Sequence, residues 1–276
     1  MLPELILLEE ERENLPLLVL LGALSGFIGY GAAKLLFPTQ ADLLGVAFAS
    51  IPLIYPLVDE LMVDEREERD YLPEILSYSS LFTGEVIAFT VLGLAMGGFG
   101  LQRQVIGLSG NAVLGGSFGA VLVNNLMVYL GIFGLAAIIG SAGALVLTWN
   151  ASVLGVFLAD LVSGIPDKTA AFACSTPKLA ELGVENASPL CYLPHASFEM
   201  GGFLLAGLTG SMVSAAIYRR DLDEGIWENF SWLLLTGVSA IVTGAALETG
   251  KLVVFAASLL LTGLFAYKVY LERGEF

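Results

Sequence analysis

Histidine occurs once in this chain of 276 residues and cysteine only twice. A zinc protease of the His-Glu-x-x-His type needs two histidines and a third ligand, so a single histidine excludes it. Lysine and arginine number 12 against 27 aspartates and glutamates, for a net charge of −15. Binding to nucleic acid, or to anionic lipid through a basic patch, needs clustered positive charge and is excluded. No dinucleotide fingerprint, phosphate-binding loop or serine-hydrolase elbow is read from the chain. The intramembrane glutamic proteases combine adjacent glutamates and an arginine with later histidines; Glu9, Glu10, Glu11 and Arg12 precede the first apolar run, and those histidines are absent. The chain is expected to be neither an enzyme nor the holder of an organic cofactor.

Charge of either sign is scarce, at 14% of residues against roughly a quarter in a soluble domain, while 56% are hydrophobic. Mean hydropathy is +0.80. These values describe a polytopic membrane protein. A spanning helix needs about 20 apolar residues, so residues 1–276 are expected to form one membrane domain, an all-α transmembrane bundle. Apolar runs place spans at 15–37, 42–58, 76–100, 116–137, 138–162, 190–217, 227–248 and 250–271, about eight, with seven and nine as the bounds. Pro52 and Pro56 interrupt the short second run, which is expected to be re-entrant or kinked. Segment 101–116, LQRQVIGLSGNAVLGG, is too polar and glycine-rich to span and is expected at the interface. Glu4, Glu9, Glu10, Glu11 and Glu13 precede the first run without the basic start of a secretory signal, so that span is expected to be retained. Gly22, Gly26, Gly131, Gly134, Gly140 and Gly143 are expected to serve close helix packing.

With the N-terminus inside, seven basic residues fall in the cytoplasm and five outside. Arg219 and Arg220, close behind a span, are the anchor that the positive-inside rule weighs most. Both termini are therefore expected in the cytoplasm of a multi-pass cell-membrane protein. Loop 59–75 then faces inward; the stretch 59–74 carries eight acidic residues and two arginines. It suits either a solvated surface or a basic partner. Loop 163–189 faces outward, with TPKLAELG read as a short helix: Thr176 the N-cap, Pro177 at the first position, Gly183 past the end. Cys174 and Cys191 flank this helix. They form a disulfide if that side is oxidising and remain buried thiols otherwise.

Few polar residues lie at membrane depth: Glu85, Asn124, Asn125, Asn150, His195 and Glu199, with Asp160 and Glu248 near span ends. A charge in hydrocarbon costs at least ~2.5–3.5 kcal/mol on insertion scales, so such groups face protein or a wet cavity. His195 and Glu199 share a helix face by their i, i+4 spacing. Asn124 and Asn125 point about 100° apart, so at least one faces protein. The expectation is one buried network joining Asn125, Asn150, His195 and Glu199. It is either a set of interhelical hydrogen bonds that fix packing or an ion or substrate site. Glu85, Glu199 and His195 form a second conceivable set, a carboxylate-rich metal trio, which nothing in the sequence demands.

These residues carry a resemblance. VLVNNLMVYLGIFG supplies Asn124 and Asn125, TWNASVLG supplies Asn150 and Gly155, and YLPHASFEMGGFLLAGLTG supplies Pro194, His195 and Glu199. In order and spacing over about 116–217 they resemble the stage II sporulation protein M family of integral membrane proteins. That family carries Asn-Asn at a glycine-rich hairpin, an asparagine followed shortly by glycine, then Pro-His-Gly-x-x-Glu. Here Asn150-Ala151 and His195-Ala196 depart from the family's asparagine–glycine contact and its His-Gly. The resemblance implies an all-helical membrane scaffold without catalytic activity, acting through protein partners or a homo-oligomer in the bilayer. Sporulation is not transferred, since relatives occur widely outside spore formers. The competing expectation is a transporter or channel that carries protons, ions or a small solute past His195 and Glu199.

Overall fold

The computed structural model describes residues 14–64, 72–97, 99–104, 117–140, 142–164, 193–219 and 224–271. Eight long helices occupy most of them: α1 (Leu15–Leu36), α2 (Ala41–Asp64), α3 (Leu72–Met96), α4 (Phe118–Ile138), α5 (Ala142–Gly164), α6 (Leu193–Arg219), α7 (Glu224–Glu248) and α8 (Leu252–Leu271). No strand occurs among the described residues. The chain is a helical bundle with the architecture of a multi-pass membrane protein, and each apolar run lies on one long helix. Among the described residues, seven helices are long and apolar enough to cross a bilayer. The exception is α2, whose apolar part covers Ala41–Ile54 and whose later turns carry Asp59, Glu60 and Asp64. It runs as one helix of 24 residues through Pro52 and Pro56, with no re-entrant break.

Local chemistry sets the ends. The Asn14 side chain accepts from the Leu17 N–H at the start of α1, and the Ser117 hydroxyl accepts from the Ala120 N–H at the start of α4. At the end of α7, the Lys251 N–H reaches the Ala246 carbonyl and the Gly250 N–H that of Leu247. This paired capping needs a left-handed residue, which Gly250 provides at φ +67°. The turn sends α8 straight back along α7.

Helix α1 packs on α2 and α3, and α3 on α5; α6 packs on α4 and α7, and α8 on α7. One apolar cluster, with Leu18, Tyr78, Leu81, Leu147, Leu208 and Leu233 fully or nearly buried, ties the two groups together through α5 and α6. Close approach replaces the hydrophobic effect as the packing force in lipid. A β-carbon on Gly84 would fall on the carbonyl oxygen of Val19, so α3 meets α1 backbone to backbone there. Gly22, Gly26, Gly140 and Gly143 also lie in tight contacts, whereas Gly131 and Gly134 face open space. The expectation of close packing therefore fails for those two, because they lie on the outward side of α4.

Of the segment 101–116 expected at the interface, residues 101–104 are described and 105–116 lie outside the described residues; with Phe99 they dock against the start of α2. Phe99 and Gln102 are fully buried. The Asp42 carboxylate accepts from the backbone N–H groups of Phe99 and Leu101, and the Gln102 side-chain amide donates to the Asp42 carbonyl at 2.9 Å. A buried turn needs its backbone satisfied by protein, and Asp42 does this. Arg103 forks onto Asp160 at 2.6–3.1 Å. Those hydrogen bonds raise the guanidinium pKa further above its ordinary value.

These bonds gather the start of α2 and the ends of α3 and α5 at one end of the bundle. A β-carbon on Gly143, at the start of α5, would lie 2.7 Å from Ser211 Oγ, late in α6, so α5 and α6 run antiparallel. The start of α6 therefore belongs to the same end as Asp42. Residues 65–71 of the acidic loop, residues 165–192, the short helix at 176–183, Cys174 and Cys191 lie outside the described residues.

Gly84→Ala should lower the Tm of the purified protein, by overpacking of roughly 1–3 kcal/mol. Gly131→Ala, with free space around its α-carbon, should leave Tm unchanged or raise it. A thermal melt in one detergent checks the pair.

Candidate functional site

The first turns of α6 carry PHASFE. Pro194 fits there because a first-turn residue has no intrahelical N–H bond to lose. His195 and Glu199 follow one turn apart on the face toward α7. Glu248 ends α7, and the antiparallel pairing of α6 with α7 brings that last turn beside the first turns of α6. A ligand atom from each of His195, Glu199 and Glu248 lies within 4.8 Å of the other two, and all three side chains are half-buried.

Two neighbours hold this cluster in place. On α4, Asn125 Nδ2 donates to Glu199 Oε1 at 2.6 Å. On α7, a β-carbon at Gly244 would stand 2.7 Å from Glu199 Cγ and 3.0 Å from the His195 carbonyl oxygen. Glycine there lets α7 press against the turn that carries both residues. A turn further along α4, the Tyr129 hydroxyl donates to the Leu234 carbonyl on α7 at 3.0 Å, which completes the α4, α6, α7 triangle. The Oε1 atom of Glu248 is buried and has no hydrogen-bond partner among the described residues.

Of the four residues expected in one network, Glu199 stands beside His195 and accepts from Asn125. Asn124 is the outward member of its pair; it is exposed and donates only to Asn125 Oδ1, at 3.3 Å. Asn150 does not join them. It lines a small cavity with Tyr78, Phe82, Met200, Phe203 and Leu204, with room for about one water. Depth is the reason: Asn150 lies about 12 Å from the start of α5 at 1.5 Å per residue, toward the opposite end from His195. Glu85 is also separate. It is fully buried near the middle of α3, with Thr148 Oγ1 of α5 donating to its Oε1 at 2.7 Å and Oε2 without a partner among the described residues. Glu85 therefore does not stand with Glu199 and His195, the trio conceived from the sequence; Glu248 is the carboxylate beside them.

Glu248 stands at a span end, where it is not expected among the groups at membrane depth. The available signal was topological, since a short connection between α6 and α7 puts the last turn of one beside the first turn of the other. Residues 115–119 spell Gly-x-Ser-x-Gly. A nucleophile elbow joins a strand to a helix, and Ser117 instead caps α4 in a chain without strands among its described residues.

Neither protein-family models, nor curated proteins, nor solved structures match this chain.

Asn125→Ala should destabilise the α4–α6 contact by roughly 0.6–1.7 kcal/mol, the range for interhelical hydrogen bonds in membranes. Asn124→Ala should change nothing. Thermal unfolding of the two variants in parallel reads the difference.

Proposed function

We propose that the protein is an integral membrane scaffold or assembly factor of the kind its resemblance to the stage II sporulation protein M family implies, acting in the cell membrane through protein partners. The observation that carries this reading is the density of the bundle. Backbones touch at Gly84 and Gly22, and the cavity beside Asn150 is small, with room for about one water. A packing of this kind favours one fixed geometry over alternation between two. The outlying α8 suits the same role. Its spanning stretch is 6% buried, and Leu252, Val253, Leu260 and Leu264 turn outward, which leaves a membrane helix free for lateral contact with other chains.

A second reading, a proton or ion path, has one observation in its favour: titratable groups from two helices meet at His195, Glu199 and Glu248. Reconstitution separates the two. In liposomes, the wild-type protein and Glu199→Gln should show the same background proton and ion flux, while crosslinking in native membranes should recover reproducible protein partners. Flux that Glu199→Gln abolishes would overturn the scaffold reading, as would crosslinking that returns no partner.

A further inference from the structure

We propose that His195, Glu199 and Glu248 form a binding site for a divalent first-row transition cation, held between the first turns of α6 and the last turn of α7. Whether or not the protein is a scaffold, this inference stands on the local geometry alone. Three potential ligand atoms of the right kinds already lie within 4.8 Å of one another. Ligands about 2.0–2.2 Å from zinc in a tetrahedron stand roughly 3.3–3.5 Å apart. The cluster therefore needs to contract by at most about 1.5 Å on that geometry, a distance that side-chain rotation alone can cover.

The chemistry of the set selects the ion. One imidazole nitrogen with two carboxylates suits zinc, manganese, iron or cobalt in the divalent state; magnesium and calcium prefer oxygen alone, and copper(I) prefers sulfur. With the imidazole neutral, two carboxylates bring a charge of −2, which a divalent cation cancels. That matters at the edge of a membrane, where uncompensated charge is costly.

Two further features point to a ligand at this place. Glu248 Oε1 is buried and lacks a hydrogen-bond donor among the described residues. Buried polar atoms are nearly always satisfied, and an ion is one of the few things that satisfies an acceptor without a proton. Glu199 is oriented from behind by Asn125, whose amide occupies Oε1 and leaves the other oxygen for a metal. Such an outer partner is the usual companion of a ligating carboxylate. Three protein ligands leave one or more coordination positions to water or a partner's side chain. Bound there, the cation would clamp α6 to α7.

The test uses the full chain in detergent, stripped with chelator and dialysed against Zn²⁺, with bound metal counted by mass spectrometry. Co²⁺ replaces Zn²⁺ for visible absorption spectra. The wild type should retain one equivalent and show Co²⁺ bands that require His195. His195→Ala and Glu248→Gln should each weaken binding by more than the roughly 10- to 100-fold expected for the outer variant Asn125→Ala. Glu85→Gln, remote from the cluster, should bind as wild type. Zn²⁺ should also raise the Tm of the wild type and not that of His195→Ala, which separates metal loss from misfolding. Equal zinc retention by wild type and the His195→Ala, Glu248→Gln double variant, or Co²⁺ spectra indifferent to His195, would overturn the proposal.

Discussion

A polar group inside hydrocarbon has only the protein to bond to, and the bundle is arranged around that restriction. The Asn125 amide reaches Glu199 at 2.6 Å; Thr148 reaches Glu85 at 2.7 Å; Asp42 takes the N–H groups of the inserted turn at 99–104. Each of these bonds joins helices far apart in sequence, so each requires a particular neighbour at a particular depth. Apolar side chains alone would tolerate rotation and sliding of one helix on another, because lipid is as good a solvent for leucine as protein is. The few polar contacts remove that freedom.

Close packing and polar bonding support one another. Glu199 can meet both Asn125 and the last turn of α7 only because Gly244 lets α7 come near, and a side chain there would strike Glu199 Cγ. On the other side of the bundle, Gly84 and Gly22 bring α1 against α3, beside the layer in which Glu85 is enclosed. The result is a closely packed core with a titratable cluster toward one end and a largely uncovered helix, α8, along one side. A cluster of imidazole and carboxylates near the bundle end suits a cation that fastens two helices.

Periodicity and hydropathy made most of the fold legible. Runs of about twenty apolar residues must be helices in a bilayer, since no other segment satisfies its own backbone, and every run corresponds to one helix within a few residues. Pro52 and Pro56 lie within one continuous helix, α2, so they do not mark a re-entrant break. The bonds of the turn at 99–104 were not legible in the sequence, because its partners, Asp42, Ser152 and Asp160, are 50 to 60 positions away.

The sequence by itself determined that this is a helical membrane protein, and that His195 and Glu199 share a face, because helical pitch is a local property. It also determined that one asparagine of the adjacent pair must look inward. Only the tertiary structure decided which helices meet at what depth. It put Asn125 on Glu199, sent Asn150 and Glu85 to other layers, and brought Glu248 in from a span end. The physical reason is that depth along a bundle depends on the direction and offset of every neighbouring helix, and no stretch of sequence encodes that alone.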